Sequence, residues 1–264
     1  MRFSGLQVDL GHRNRDEAQG RVRAFAEGAG LKDFNSASSD PPAQFSPPQR
    51  ALSLLEFAIG GAIVLAHNVW HVAPNEVPIL FVLAIVSIRL RAGNWSAIGF
   101  TPPGSWWLTV LVALATAGVV IAVGQFVTEP LAKAIGLHEN AGAAANALGA
   151  MKGNLWTAAK GLGLVWTFAA FGEEVSYRRY LLGRAAEIGG DTLLARWIAL
   201  LCVSVLFGFG HYYQGPAGIF TTACDGFMIG AAYLLSRRNL WVAILAHGFI
   251  DTIGIVLLFF GLAD

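Results

Sequence analysis

The sequence predicts an all-α fold: a polytopic transmembrane helical bundle of about seven spans, preceded by a flexible polar tail. Three observations predict it. Of 264 residues, 55% are hydrophobic and only 13% are charged, with a mean hydropathy of +0.55. That apolar excess belongs to integral membrane proteins rather than soluble domains. After Arg50, apolar runs near the length of roughly 20 residues that a span requires follow one another with short polar breaks. Lys and Arg are divided unevenly between alternate breaks, as the positive-inside rule requires of a membrane protein.

Residues 1–50 are polar and mixed in charge, and they end in a proline-rich stretch with Pro41, Pro42, Pro47 and Pro48. This composition predicts a flexible cytosolic tail, with a short helix near Asp16–Gly28. It lacks the apolar core of a secretion signal. Residues 51–264 form the membrane domain. Its expected spans are Leu52–Trp70, Val77–Leu90, Trp107–Val127, Trp156–Leu182, Leu194–His211, Ala217–Leu235 and Leu240–Leu262. The Ala- and Gly-rich stretch Leu131–Gly153 carries Lys133, His138, Glu139 and Lys152 and is expected to be an external amphipathic connector.

Arg50, Arg89, Arg91, Arg178, Arg179, Arg184, Arg196, Arg237 and Arg238 fall in the tail or in one set of alternate connections. Only Lys133, Lys152 and the boundary residue Lys160 fall in the other set. The N-terminus is therefore expected in the cytosol, in a membrane of the bacterial inner or plasma type. A net charge of +1 gives no sign of a nucleic-acid partner; the lipid bilayer is the expected surroundings. Cys202 and Cys224 support neither a disulfide framework nor a thiolate metal site, and read as packing residues.

The chemistry is expected in the later spans. Glu173 and Glu174 lie in an apolar run with Arg178 four residues after the second. An ionised side chain at the bilayer centre costs at least about 2.5–3.5 kcal/mol, so these charges need a reason. On an α-helix the two glutamates point about 100° apart. Glu174 and Arg178, acid first at a spacing of four, form a same-face pair. Glu173 is then left facing elsewhere, free to act. His211 follows Phe207 by one turn, and the aromatic ring packs beside the imidazole. His247 and Asp251 share one face of the last helix, where Asp251 orients the His247 ring or meets substrate directly. Carboxylate and two imidazoles out of bulk water are materials for hydrolysis. Bringing them together needs tilted or broken helices, because their depths in the chain differ.

Other polar residues have plainer readings. His67 and His71 have one-turn spacing but sit beside Trp70 at a span end, where they anchor the interface. Glu56 reaches that interface from early in the first span, and Trp106 and Trp107 form an aromatic belt. Gly226 and Gly230 make a small-xxx-small helix contact. Asp225 either lines a cavity or pairs with a backbone donor.

The order Glu173-Glu174-x-x-x-Arg178, Phe207-x-x-x-His211, His247-x-x-x-Asp251 resembles the CPBP family of intramembrane proteases, the CAAX-processing and bacteriocin-processing proteins also called the ABI family. The resemblance covers residues 156–262, and the connector around Ser96-Ala-Ile-Gly-Phe100 is similar to one in that family. It implies a helical membrane endopeptidase that cuts near the cytosolic side. Glu173 would activate water, His211 and His247 would complete the centre, and Glu174, Arg178 and Phe207 would support it. Asp251 falls where CAAX-processing members often carry Asn. Ionised Asp cannot donate to an oxyanion, so that role would require the protonated acid. The implied partner is a peptide or protein substrate, lipidated or not.

Two mechanisms fit these residues. Glu173, His211 and His247 could hold a divalent metal such as zinc with an open position for water, or Glu173 could act as a metal-free general base. Two other functions compete. A proton- or ion-coupled transporter would use the same residue types, although no internal repeat is apparent. A non-catalytic adaptor or immunity protein would keep only the scaffold.

Overall fold

The computed structural model describes residues 45–94, 96–140 and 151–262. The short helix expected near Asp16–Gly28 lies outside them. The described residues are mostly helical and contain no strand.

Helix α1 spans Pro47–Asn68. The last two prolines of the proline-rich stretch open it, because a helix start has no use for their missing N–H groups. The Gln49 side chain accepts the Ser46 N–H at 2.8 Å. Helix α2, Glu76–Ala92, is capped by Asn75 and stops at Gly93, whose φ of 73° closes it in the left-handed region. A 3₁₀ turn, Ser96–Ile98, leads to α3, Trp106–Val123, which continues through a π-helical turn, Gly124–Thr128, into α4, Glu129–Ala134. The expected connector Leu131–Gly153 therefore begins as the end of this helix. Its residues 141–150 lie outside the described ones.

The fourth expected span is one long helix in three parts: α5, Leu155–Leu164; a π-helical stretch, Val165–Leu181; and α6, Leu182–Ile188. It runs past the expected end at Leu182. Arg178, Arg179 and Arg184, expected in a connection, are therefore helical, and Arg178 and Arg184 are buried. Helices α7, Leu193–Phe209, α8, Gly215–Leu235, and α9, Leu240–Phe260, complete the bundle. Four of these helical stretches are long and apolar enough to cross a membrane: Pro47–Asn68, Trp106–Ala134, Tyr212–Leu235 and Leu240–Phe260. The protein is an integral membrane protein.

Polarity is inverted relative to a soluble domain. Leu54, Val82, Leu111, Phe126 and Leu201 face outward, while Glu174 and Arg178 are among the most deeply buried side chains. Outward apolar residues lose nothing in lipid, so close packing of small residues must hold the helices together. Gly226 and Gly230 serve that purpose, set against Phe207 and Leu200 of α7. A Cβ on Gly226 would lie 2.8 Å from the Phe207 ring. Cys202, read as a packing residue, is instead exposed on α7.

Glu56 differs from expectation in its partners. Its Oε2 meets Arg184 at 2.7 Å and accepts from Ser87 at 2.5 Å, and its Oε1 lies 3.3 Å from Arg91. Arg91 and Arg184 in turn hold both oxygens of Glu187, at 2.9 and 2.6 Å. This network ties α1, α2 and α6 together at the Arg-rich end of the bundle.

Candidate active site

The site is built on the π-helical stretch, where hydrogen bonds run from residue i to i+5. Two hydroxyls compete for carbonyls that an α-helix would use. Thr167 donates to Gly163 O and Ser176 to Gly172 O, each at 2.7 Å. Gly172 also lets α2 approach closely, since a Cβ there would lie 2.9 Å from Val77. The α-helical geometry that the spacing predicts is therefore replaced here by a wider coil, although Glu174 and Arg178, four apart, still meet. Arg178 Nη1 lies 3.0 Å from Glu174 Oε1. The contact is ionic rather than an aligned hydrogen bond, because Nη1 makes none.

Glu174 has a second partner that no local spacing encodes. Its Oε1 lies 2.8 Å from His247 Nδ1, across 73 residues of chain. Asp251, expected to orient the His247 ring, lies 3.6 Å from its other nitrogen, Nε2. The ring is held by Glu174, with Asp251 as a looser neighbour on the opposite edge. Arg178 is fixed further by donating from Nη2 to Gly226 O at 3.2 Å. That contact needs the bare backbone of α8, which the small residue Gly226 supplies.

Phe207 joins the histidines. Its ring centroid lies 5.1 Å from His211, 6.1 Å from His247 and 5.0 Å from Tyr177, and the Arg178 guanidinium stacks on it at 4.4 Å. The depth mismatch is resolved at the end of α7. The helix stops at Phe209, and His211 follows in a bent segment (φ −110°) that turns into the 3₁₀ turn Tyr212–Gln214. His211 Nδ1 faces Phe207 O at 3.1 Å. A carbonyl can only accept, so Nδ1 carries the proton and Nε2 keeps its lone pair.

Glu173 stands apart from these contacts. Its Oε2 is buried and has no hydrogen-bond partner among the described residues. The residue lines a cavity of about 390 Å³ between the start of α2 (Asn75, Val77, Pro78) and the long helix (Leu164, Val165, Phe168). Asp225 Oδ1 is likewise buried without a hydrogen-bond partner, but Asp225 does not line that cavity.

Among the described residues, no group of three or more His, Cys, Asp and Glu side chains is arranged to hold a metal ion. The carboxylate against His247 is Glu174 rather than Glu173, so the three expected ligands are not gathered around one point. The set Glu173, His211, His247 does not fit a metal in this arrangement. His67 and His71 are no ligand pair either: His67 faces Ala73 O and Glu76, and His71 faces His67 O.

The connector around Ser96-Ala-Ile-Gly-Phe100 docks beside the site. Phe100 stacks on Phe171 at 5.2 Å, and Arg179 donates to Ala97 O.

An apolar-faced helical bundle sealing carboxylates, imidazoles and a guanidinium in its core defines a class of intramembrane proteins whose chemistry is shielded from bulk water. Residues 154–253 match the Rce1-like family model, described as type II CAAX prenyl endopeptidase Rce1-like. The matched segment contains every site residue from Glu173 to Asp251, so the likeness to that endopeptidase family falls on the part of the chain that carries the site. No curated protein and no solved structure matches the chain.

Proposed function

We propose that the protein is an intramembrane endopeptidase in which Glu173 activates the water that attacks a peptide carbonyl, with His211 and His247 completing the centre. The observation that carries this reading is the contrast between the adjacent glutamates. Both keep a buried Oε2 without a hydrogen-bond partner, but Glu174 is committed through Oε1 to Arg178 and His247, whereas Glu173 lines a cavity. A buried acceptor left unsatisfied by protein is costly. A water molecule in the cavity would satisfy it and would be the nucleophile.

The steps run on the chain's own groups. Glu173 accepts a proton from water as the oxygen bonds to the carbonyl carbon. His211, with Nε2 open, accepts or returns a proton at the reacting centre. His247 is anchored through Nδ1 by Glu174 and turns Nε2 toward the other side. With both nitrogens protonated it can donate to the developing oxyanion, and the Glu174 and Asp251 carboxylates stabilise that cation. Asp251 thus serves through His247 and needs no proton of its own. Collapse of the tetrahedral species breaks the C–N bond, and the leaving amine takes up the proton first removed from water.

The apolar wall of the cavity, with Val77, Val165 and Phe168, suits a substrate entering sideways from lipid, whether a membrane-embedded peptide or one carrying a lipid. The cut falls toward the cytosolic face. His247 lies seven residues into α9 from its Arg-rich end, about 10 Å at about 1.5 Å per residue. The same polarity puts the N-terminus in the cytosol. The membrane is of the bacterial inner or plasma type.

The test is cleavage of a library of lipidated and unlipidated peptides by purified protein in liposomes, with and without a strong chelator. Cleavage that persists in chelator supports the glutamate mechanism, and cleavage abolished by chelator and restored by zinc overturns it. If no peptide is cut, while wild type and Glu173→Gln equally complement a deletion strain, the adaptor reading replaces the peptidase.

A further inference from the structure

We infer that the Arg-rich end of the bundle carries a binding site for the phosphate of an anionic phospholipid headgroup. The site is a separate cavity of about 190 Å³ between the first turn of α1, the last turn of α2 and the long helix. At about 30 Å³ per water molecule, it has room for a phosphate and part of its glycerol. Arg91, Arg179 and Arg184 line it together with a single carboxylate, Glu187.

The three guanidiniums are not equivalent. Arg91 and Arg184 are ion-paired with Glu56 and Glu187. Arg179, which is partly buried, donates from Nε and Nη2 to the carbonyl of Ala97 and forms no ion pair among the described residues. Its charged neighbours are already matched with one another, Arg238 with Asp191 and Arg184 with Glu56 and Glu187, so none of those carboxylates serves Arg179 directly. A Cβ on Gly183 would lie 3.7 Å from Arg179 Nη1 and 3.9 Å from Arg238 Nη2, so the two guanidiniums face the same small volume. A cation withdrawn from water without a counter-charge is expensive, and its like-charged neighbours raise the cost. An anion in the cavity would supply the missing charge. A tetrahedral phosphate fits best, because the planar fork of Arg matches phosphate oxygens.

The position favours lipid as the source. The cavity lies at the end that the distribution of Lys and Arg assigns to the cytosolic leaflet, where anionic headgroups concentrate and basic pockets between helices bind them. Phe45 forms part of its wall, and the adjoining faces of α1 and α2 expose Leu54, Val86 and Leu90, against which acyl chains can lie. The site uses none of the proposed catalytic residues and does not depend on the peptidase reading.

Two variants place a negative charge on the wall without removing an arginine. Gln49→Glu keeps the side-chain oxygen that accepts the Ser46 N–H, and Ala92→Glu changes an exposed residue at the end of α2. The experiment is native mass spectrometry of the full-length protein from micelles containing phosphatidylglycerol and phosphatidylcholine, with melting curves for each variant. Wild type is expected to retain phosphatidylglycerol over phosphatidylcholine. Retention should weaken roughly fivefold in each variant, the effect of about one surface charge on an anionic lipid, at unchanged melting temperature. Equal retention of the two lipids by wild type, or undiminished phosphatidylglycerol retention in both variants, overturns the site. A parallel arm adds inorganic phosphate alone. If it stabilises the protein as much as phosphatidylglycerol does and displaces that lipid, the occupant is a soluble anion and the lipid assignment is overturned.

Discussion

Two groups of ionisable side chains inside the apolar shell are finished differently. At the Arg-rich end, every carboxylate oxygen of Glu56 and Glu187 has a partner: Arg91, Arg184, Ser53 or Ser87. At the centre, Glu173 Oε2 and Glu174 Oε2 have no hydrogen-bond partner among the described residues. A network that closes on itself fastens helices. A network left open has capacity for something that is not protein. Satisfied polar groups stabilise, whereas unsatisfied ones cost free energy and persist where a ligand or a reaction uses them.

Breaking each group in turn separates the two roles. The largest expected effect is that of Glu173→Gln, which keeps shape and removes the proton acceptor. Peptide cleavage should fall about 10²–10⁴-fold, the range for a general base, with the melting temperature at or above that of wild type. Glu174→Gln should damage both properties. It strands Arg178 and releases His247, and breaking a buried pair costs about 3–5 kcal/mol; chemical denaturation read beside cleavage by the remaining folded protein would report the two losses. Glu56→Gln should cost less, about 1–3 kcal/mol for the donors it leaves unpaired, and cleavage per folded molecule should be unchanged.

The smallest effect is expected at Asp191, in the turn between α6 and α7. Burial pushes its carboxyl up, but the bonds from Arg196 at 2.8 and 2.9 Å, together with Arg238 at 3.1 Å, outweigh burial and hold it below its ordinary value. A carboxyl lower in the folded than in the unfolded state contributes stability at pH above about 3.9, and that contribution is lost as pH falls through the folded value. Asp191→Asn should remove about 1–2 kcal/mol near neutral pH and flatten the acid limb of the stability curve. Melting temperatures of both proteins between neutral and acid pH would check the sign.

Much of the fold and part of the site could be read in the sequence, for a physical reason. Pairings within one helix turn are written in the spacing. Glu174 with Arg178, Phe207 with His211 and His247 with Asp251 are each four apart and in contact. The run lengths located the helices to within about five residues, except where the third continued past Val127 to Ala134 and the fourth past Leu182 on arginines that found partners inside. Contacts between helices carry no such mark. Glu174 meets His247 across 73 residues, and Glu56 meets Arg184 because α1 packs on α6, which no local pattern encodes. The π-helical stretch was also hidden. Thr167 and Ser176 could have hinted at it, since both donate to the carbonyl four residues back, but the same residues occur in ordinary helices.

One paired measurement tests the central claim most directly: single-turnover peptide cleavage and thermal unfolding of Glu173→Gln and Glu56→Gln, both in liposomes beside wild type. The contrast between open and closed networks predicts opposite outcomes, with Glu173→Gln losing cleavage while staying as stable, and Glu56→Gln losing stability while cleaving at the wild-type rate when folded. Parallel losses in both variants, or undiminished cleavage by Glu173→Gln, would contradict it.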